Sequence, residues 1–127
     1  MRPGHTIQFN PAQKRSIQHL LERFAAFPLT PPSVKECQAE VGEDVFAALV
    51  ESGRLTQVSS EVVFRTEDFQ RMTTEVRRQF EQHEKLTAAQ VRDYFNTSRK
   101  YVMAFLEYLD SQGITVREGD VRRLKKG

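Results

Sequence analysis

A chain of 127 residues, 39% hydrophobic and 28% charged, has the length of one ordinary domain or of two very small ones, and a composition that folds. No apolar run is longer than Tyr101–Leu106, too short to cross a membrane, and no apolar segment precedes Asn10 in which to read a signal peptide. The net charge of +2, from 19 basic and 17 acidic residues, suggests no polyanion partner as an average. It hides an asymmetry: residues 1–65 hold seven Lys/Arg and seven Asp/Glu, whereas the stretch from Lys85 onward holds nine against five, so positive charge gathers at the C-terminal end.

All five prolines lie in the first 32 residues. Asn10-Pro11-Ala12-Gln13 reads as a capped helix start, and Ile17, Leu20, Leu21, Phe24 and Phe27 follow at helical spacing until Pro28. Ser33-Val34-Lys35-Glu36 is a capping box for a short helix that Gly42 closes. A third helix runs from Glu43 to Ser52 with Val45, Phe46, Leu49 and Val50 inward, and Gly53 stops it. Leu55–Val58 and Val62–Arg65 are short strands about the turn Ser59-Ser60.

A long helix is expected from Thr66 to about Glu84, with Phe69, Met72, Val76 and Phe80 on one face. Thr87-Ala88-Ala89-Gln90 is a further capping box, opening a helix that carries Val91, Tyr94 and Phe95. Asn96 or Thr97 caps the next, whose Val102, Phe105, Leu106 and Leu109 share a face until Gly113. Ile114–Arg117 and Val121–Leu124 are strands around Glu118-Gly119-Asp120.

The same order of elements occurs twice, and the register is consistent with duplication. Leu29-Thr30 and Leu86-Thr87 are 57 apart, as are Val34 and Val91; after a two-residue slip Leu55-Thr56 and Ile114-Thr115 are 59 apart. Three helices followed by a hairpin is the order of a winged helix. The expectation is a mostly α fold with small β-hairpins, made of two tandem winged helices, residues 1–65 and 66–127. Each would be marginal alone and would gain from packing on the other.

Catalytic signals are weak. There is no phosphate-cradling glycine motif, and His5, His19, His83 and Cys37 stand far apart without metal-ligand spacing, so no enzyme activity, cofactor or metal is expected. Cys37 reads as a small buried hydrophobe, and as a single cysteine it asks for no oxidising compartment, so the cytoplasm is expected. Glu43-Asp44 suits the positive start of its helix. The equivalent helix of the second copy opens instead with Thr97-Ser98-Arg99-Lys100, hydroxyls and cations at a terminus rich in free N–H groups, which is a phosphate site. The second wing carries Arg117, Arg122 and Arg123 around Gly119, with alternation placing Arg122 and Lys126 on one face and Arg123 on the other. Tyr101 stands either in the core or free to stack on a base.

The segment Thr97–Leu124, with its T-S-R-K-Y helix start and its R-x-G-D-x-R wing, closely resembles the last winged helix of the bacterial selenocysteine-specific elongation factor family. Phe105 stands where that family commonly has leucine, and Val121 where it often has a basic residue. The resemblance implies that a tandem of winged helices binds a hairpin in messenger RNA downstream of a UGA codon. It implies that Ser98, Arg99 and Lys100 hold the hairpin backbone, while Arg117, Gly119, Asp120, Arg122 and Arg123 approach its loop. A ribosome and selenocysteinyl-tRNA would be reached only through the family's GTP-binding part, which lies outside these residues; the fragment itself would be a monomer without a membrane partner. Two other readings stay open: a DNA-binding winged-helix regulator, and a protein-interaction module, which the acidic third helix favours for residues 1–65.

Overall fold

The computed structural model describes residues 9–125. Helix α1 (Pro11–Ala26) begins at Asn10, whose side chain accepts from the Gln13 N–H at 2.7 Å while Gln13 Oε1 accepts from the Asn10 N–H at 2.9 Å. Ser33 and Glu36 build the same reciprocal cap for α2 (Val34–Val41). Gly42, at φ +91°, separates α2 from α3 (Glu43–Glu51), a backbone setting that a side chain would strain. Strands β1 (Leu55–Gln57) and β2 (Val63–Arg65) then pair antiparallel, with Leu55 opposite Arg65.

Helix α4 (Thr66–Gln82) ends two residues before the expected Glu84, because His83 turns extended and leads into a strand that helical periodicity did not predict. This strand, β3 (Leu86–Thr87), pairs antiparallel with the last strand of the chain, Leu86 opposite Arg122. Thr87 serves twice, as the end of β3 and as the capping residue of α5 (Ala88–Phe95). Asn96, left-handed at φ 54°, closes α5, and Ser98 rather than Asn96 or Thr97 is the N-cap of α6 (Arg99–Ser111). Strands β4 (Thr115–Glu118) and β5 (Val121–Leu124) complete a three-stranded sheet of order β3-β5-β4. Ile114 stays outside β4 because its N–H donates to the Leu109 carbonyl at the end of α6.

The chain is therefore a mostly helical α+β structure, with two small sheets among the described residues. At the positions matching β3, Thr30 gives its N–H to the Phe27 carbonyl in a turn, and Pro31 and Pro32 have no N–H to give. The first sheet accordingly has two strands where the second has three.

Two apolar clusters hold the structure. One gathers Ile17, Leu20 and Phe24 of α1 with Val34, Cys37, Val45, Phe46, Leu49, Leu55 and Val63. The other gathers Met72, Val76, Phe80, Leu86, Val91, Val102, Phe105, Leu106 and Leu109, together with Val58, Val62 and Phe64 from the first hairpin. Adjacent residues of β2 thus serve different cores: Val63 points into one and Phe64 into the other, both fully buried, as the two-residue alternation of a strand dictates. Phe105 is the hub of the second, edge-on to Phe64 (6.4 Å), Phe69 (5.6 Å) and Phe95 (6.4 Å). Asp68, buried in the first turn of α4, is gripped by Arg65 through two bonds of 3.0 and 3.1 Å, with Arg71 at 3.4 Å. Among the described residues, no helix is long and apolar enough to cross a membrane.

Candidate nucleic-acid interface

The start of α6 differs from that of its fellow helices. Helices α1, α2 and α5 each open with a complete capping box, and α3 and α4, which have no side-chain cap, carry Glu43 and Asp44 or Glu67 and Asp68 in the first turn; α6 has neither a capping hydrogen bond from Ser98 nor an acidic residue in its first turn. The N–H groups of Arg99, Lys100 and Tyr101 therefore point out of the positive end of a helix without side-chain acceptors. Ser98, Arg99 and Lys100 are all exposed. Arg99 pairs with no carboxylate among the described residues. Cations here sit against the helix dipole, and an incoming phosphate would relieve both the free N–H groups and the repulsion.

The surroundings of this turn are fixed by the first half of the chain. Thr97 Oγ1 donates to the Leu29 carbonyl at 2.8 Å, and the Tyr101 hydroxyl donates to the Pro31 carbonyl at 3.4 Å. Tyr101 is half-buried against the second core, with Lys100 Nζ 5.6 Å above its ring, so it packs as a core residue rather than a free stacking platform. Lys100 also acts on Glu36 of α2: the Ser33 backbone N–H first of all, and then Arg23 and Lys100, hold that carboxyl below the usual carboxylate range. The corresponding α3 opens on Glu43 and Asp44, two exposed negative charges.

The β4–β5 hairpin separates the residues that the resemblance grouped. Gly119 adopts φ +64° in the tight turn between β4 and β5, with open space where a Cβ would lie. Arg117 is exposed and bends back over that turn, its Nε donating to the Gly119 carbonyl at 3.0 Å, and Asp120 is exposed beside it. Arg123 lies on the other face of β5, its Nε 2.6 Å from Glu118 Oε2, while Lys85 Nζ stands 3.6 Å from the second Glu118 oxygen. The Arg123 hydrogen bond above all, with Lys85 adding to it, holds the Glu118 carboxyl below its usual range.

Arg122 is the correction. It is 3% exposed, with its Nε 3.1 Å from Asp110 Oδ2, so its side chain faces the interior and presents no donor to a ligand at the surface. Alternation along β5 does put Arg122 and Arg123 on opposite faces as expected, but the face of Arg122 is the one laid on α6. Lys126, expected beside it, lies outside the described residues. The structure therefore brings together Ser98, Arg99 and Lys100 at the head of α6, and Arg117, Gly119 and Asp120 at the tip of the β4–β5 hairpin, and withdraws Arg122 from both groups.

Asp110 and Thr115 escaped the sequence reading. Asp110 Oδ1 accepts from Thr115 Oγ1 at 2.5 Å and its carboxylate holds Arg122. A signal was present: a carboxylate in the last turn of a helix opposes the dipole and needs a cationic or hydrogen-bonding partner. Elsewhere, Cys37 is fully buried, and burial pushes its thiol up to about 12, the setting of an inert side chain. His19 is paired with Glu40, and no group of three His, Cys, Asp or Glu among the described residues is placed to hold a metal ion. His5 lies outside the described residues.

Residues 78–124 match the family described as elongation factor SelB, winged helix. Over 131 aligned positions the chain is 32% identical to the selenocysteine-specific elongation factor of Desulfomicrobium baculatum, covering 98% of this chain and 20% of that one. The chain thus spans about a fifth of that relative's length. Among solved structures, the mRNA-binding domain of SelB from Escherichia coli in complex with SECIS RNA superposes with a TM-score of 0.72 at 22% identity, covering 93% of this chain and all of that one. A bacterial selenocysteine-specific elongation factor superposes with a TM-score of 0.71 at 21% identity, covering 92% of this chain and 19% of that one. At these identities the superpositions establish the fold alone, and the winged-helix description belongs to residues 78–124.

Proposed function

The chain resembles the winged-helix region of the SelB elongation factors along nearly its whole length, and from that premise we propose that it binds the selenocysteine-insertion hairpin of messenger RNA. Two winged helices stand in tandem in this reading, residues 1–65 and 66–127, and the second is the reader. The observation that carries it is the contrast between equivalent helix starts. The head of α6 offers an exposed Arg99 and Lys100 with uncapped N–H groups, whereas α3 opens on Glu43 and Asp44, which repel phosphate.

Ser98, Arg99 and Lys100 hold the hairpin backbone. Arg117, Gly119 and Asp120 meet its exposed loop at the wing tip, where a carboxylate can accept from a base amino group. Arg123 contributes charge on the outer face of the wing. The first half acts as a spacer that fastens the reading helix, supported by the Thr97–Leu29 and Tyr101–Pro31 hydrogen bonds and the Phe64–Phe105 contact. The chain acts by binding alone, without a cofactor. GTP hydrolysis, selenocysteinyl-tRNA and the ribosome would belong to the much longer factor of which the relatives are examples, working in the cytoplasm. Past Lys100, α6 presents mainly apolar residues to its own core, which disfavours a helix reading bases in a DNA major groove.

Binding of a selenoprotein mRNA stem-loop is compared with binding of duplex DNA of the same length across a salt series. The stem-loop is expected to bind tighter, with log affinity falling by about 0.7 to 0.9 per log unit of salt for each phosphate neutralised. Equal affinity for the two ligands overturns the RNA reading.

A further inference from the structure

Three elements meet at a single carboxylate. Asp110 lies in the last turn of α6, Thr115 opens β4, and Arg122 sits in β5, the central strand of the second sheet. Asp110 Oδ1 accepts from the Thr115 hydroxyl at 2.5 Å, and the carboxylate accepts from Arg122 Nε at 3.1 and 3.4 Å. Thr115 and Arg122 are 2% and 3% exposed. Arg122 Nη2 is buried without a hydrogen-bond partner among the described residues, so among them the guanidinium is held by one edge rather than by the two-pronged grip that Arg65 makes on Asp68. A buried cation held by one anion is strongly directional, because losing that anion leaves an uncompensated charge out of water.

The geometry has a consequence for the two groups of candidate RNA contacts. Ser98, Arg99 and Lys100 open α6, whereas Arg117, Gly119 and Asp120 lie at the tip of the hairpin that β4 and β5 form. The angle between helix and hairpin decides whether one RNA can meet both groups. Arg122 pairs across the sheet with Arg117, and on its other side with Leu86 of β3, so whatever fixes Arg122 fixes the strand next to the wing's exposed arginine. We infer that Asp110 and Arg122 are positioning residues for RNA binding: they fasten the wing to the reading helix at a preset angle and touch no RNA themselves. This rests on the RNA reading proposed above.

The test uses the full chain and two conservative variants, Arg122→Met, which keeps length without charge, and Asp110→Asn, which keeps shape and a neutral acceptor. In the free protein, amide hydrogen exchange over residues 115–124 is expected to rise in both, while exchange in α1 stays as in the wild type. With the stem-loop RNA, affinity is expected to fall about tenfold, as for a site whose supporting contacts are loosened, with the slope of log affinity against log salt unchanged. A direct phosphate contact would instead lower that slope by about 0.7 to 0.9, and that result overturns the inference. So do unchanged exchange in the wing and unchanged RNA affinity. If Arg122→Met does not fold, Asp110→Asn still gives the exchange and affinity readings, and unchanged values of either overturn the inference. A wild-type chain that binds no stem-loop RNA overturns the proposed function, and the exchange measurement then still decides whether the wing is fastened as described.

Discussion

Thr97 Oγ1 donates to the carbonyl of Leu29 at 2.8 Å, across 68 residues of sequence, and ties the residue before the N-cap of α6 to the loop after α1. Both groups are part-buried, so removing the donor leaves the carbonyl without its partner. Thr97→Val, close in shape, is expected to lower the unfolding free energy by about 1 kcal/mol. Urea denaturation measures it, and an unchanged midpoint at unchanged slope would show that the bond contributes nothing to the seam.

Phe105 connects more distant parts of the chain. Its ring meets Phe64 of the first hairpin as well as Phe69 and Phe95, and Phe64 adjoins Val63 of the other core. Phe105→Ala is expected to cost about 3 to 5 kcal/mol. Because the two cores share β2, the wild type is expected to unfold in one transition followed equally by all probes. Two resolved calorimetric transitions in the wild type would contradict the coupling.

The unequal helix heads predict unequal mutational effects. Arg99→Glu combined with Lys100→Glu is expected to abolish stem-loop binding, since two cations become two anions at the proposed phosphate site. Glu43→Ala combined with Asp44→Ala is expected to leave it intact. Titration of the RNA with each double variant decides, and equal behaviour of the two would mean that the head of α6 is not where RNA is held.

Cys37 is shielded by α1, α2 and α3. Burial pushes its thiol from an ordinary value of 9.0 up to about 12, so the folded state holds the proton more tightly than the unfolded chain. The stabilisation linked to this group is complete below pH 9 and is lost progressively as pH rises from there toward 12. Iodoacetamide at pH 8 should label Cys37 slowly in the native protein and quickly in urea; rapid native labelling would argue against a closed core.

The duplicated element order, the capping boxes at Asn10, Ser33 and Thr87, and the basic start of α6 were all legible in the sequence. Each is a local matter: a cap needs a partner three residues away, an amphipathic helix a period of 3.6, a phosphate site a run of cations at a helix head. The burial of Cys37 was legible too, since a lone cysteine without metal-ligand spacing reads as a small hydrophobe.

What the sequence could not contain was the choice among partners far apart along the chain. Leu86-Thr87 looks only like a helix start until β5 comes alongside to supply its hydrogen bonds. Val63 and Phe64 read as two apolar neighbours, and only the packing of α4 and α6 against the first hairpin makes β2 common to both cores. Arg122 looks identical in kind to Arg117 and Arg123 in a basic wing. Its burial depends on which face of β5 lies on α6 and on Asp110 waiting there, twelve residues away, to offset the charge. Charge and periodicity are properties of residues and short windows; the accessibility of a given guanidinium is a property of the folded surface, and tertiary contacts alone decide it.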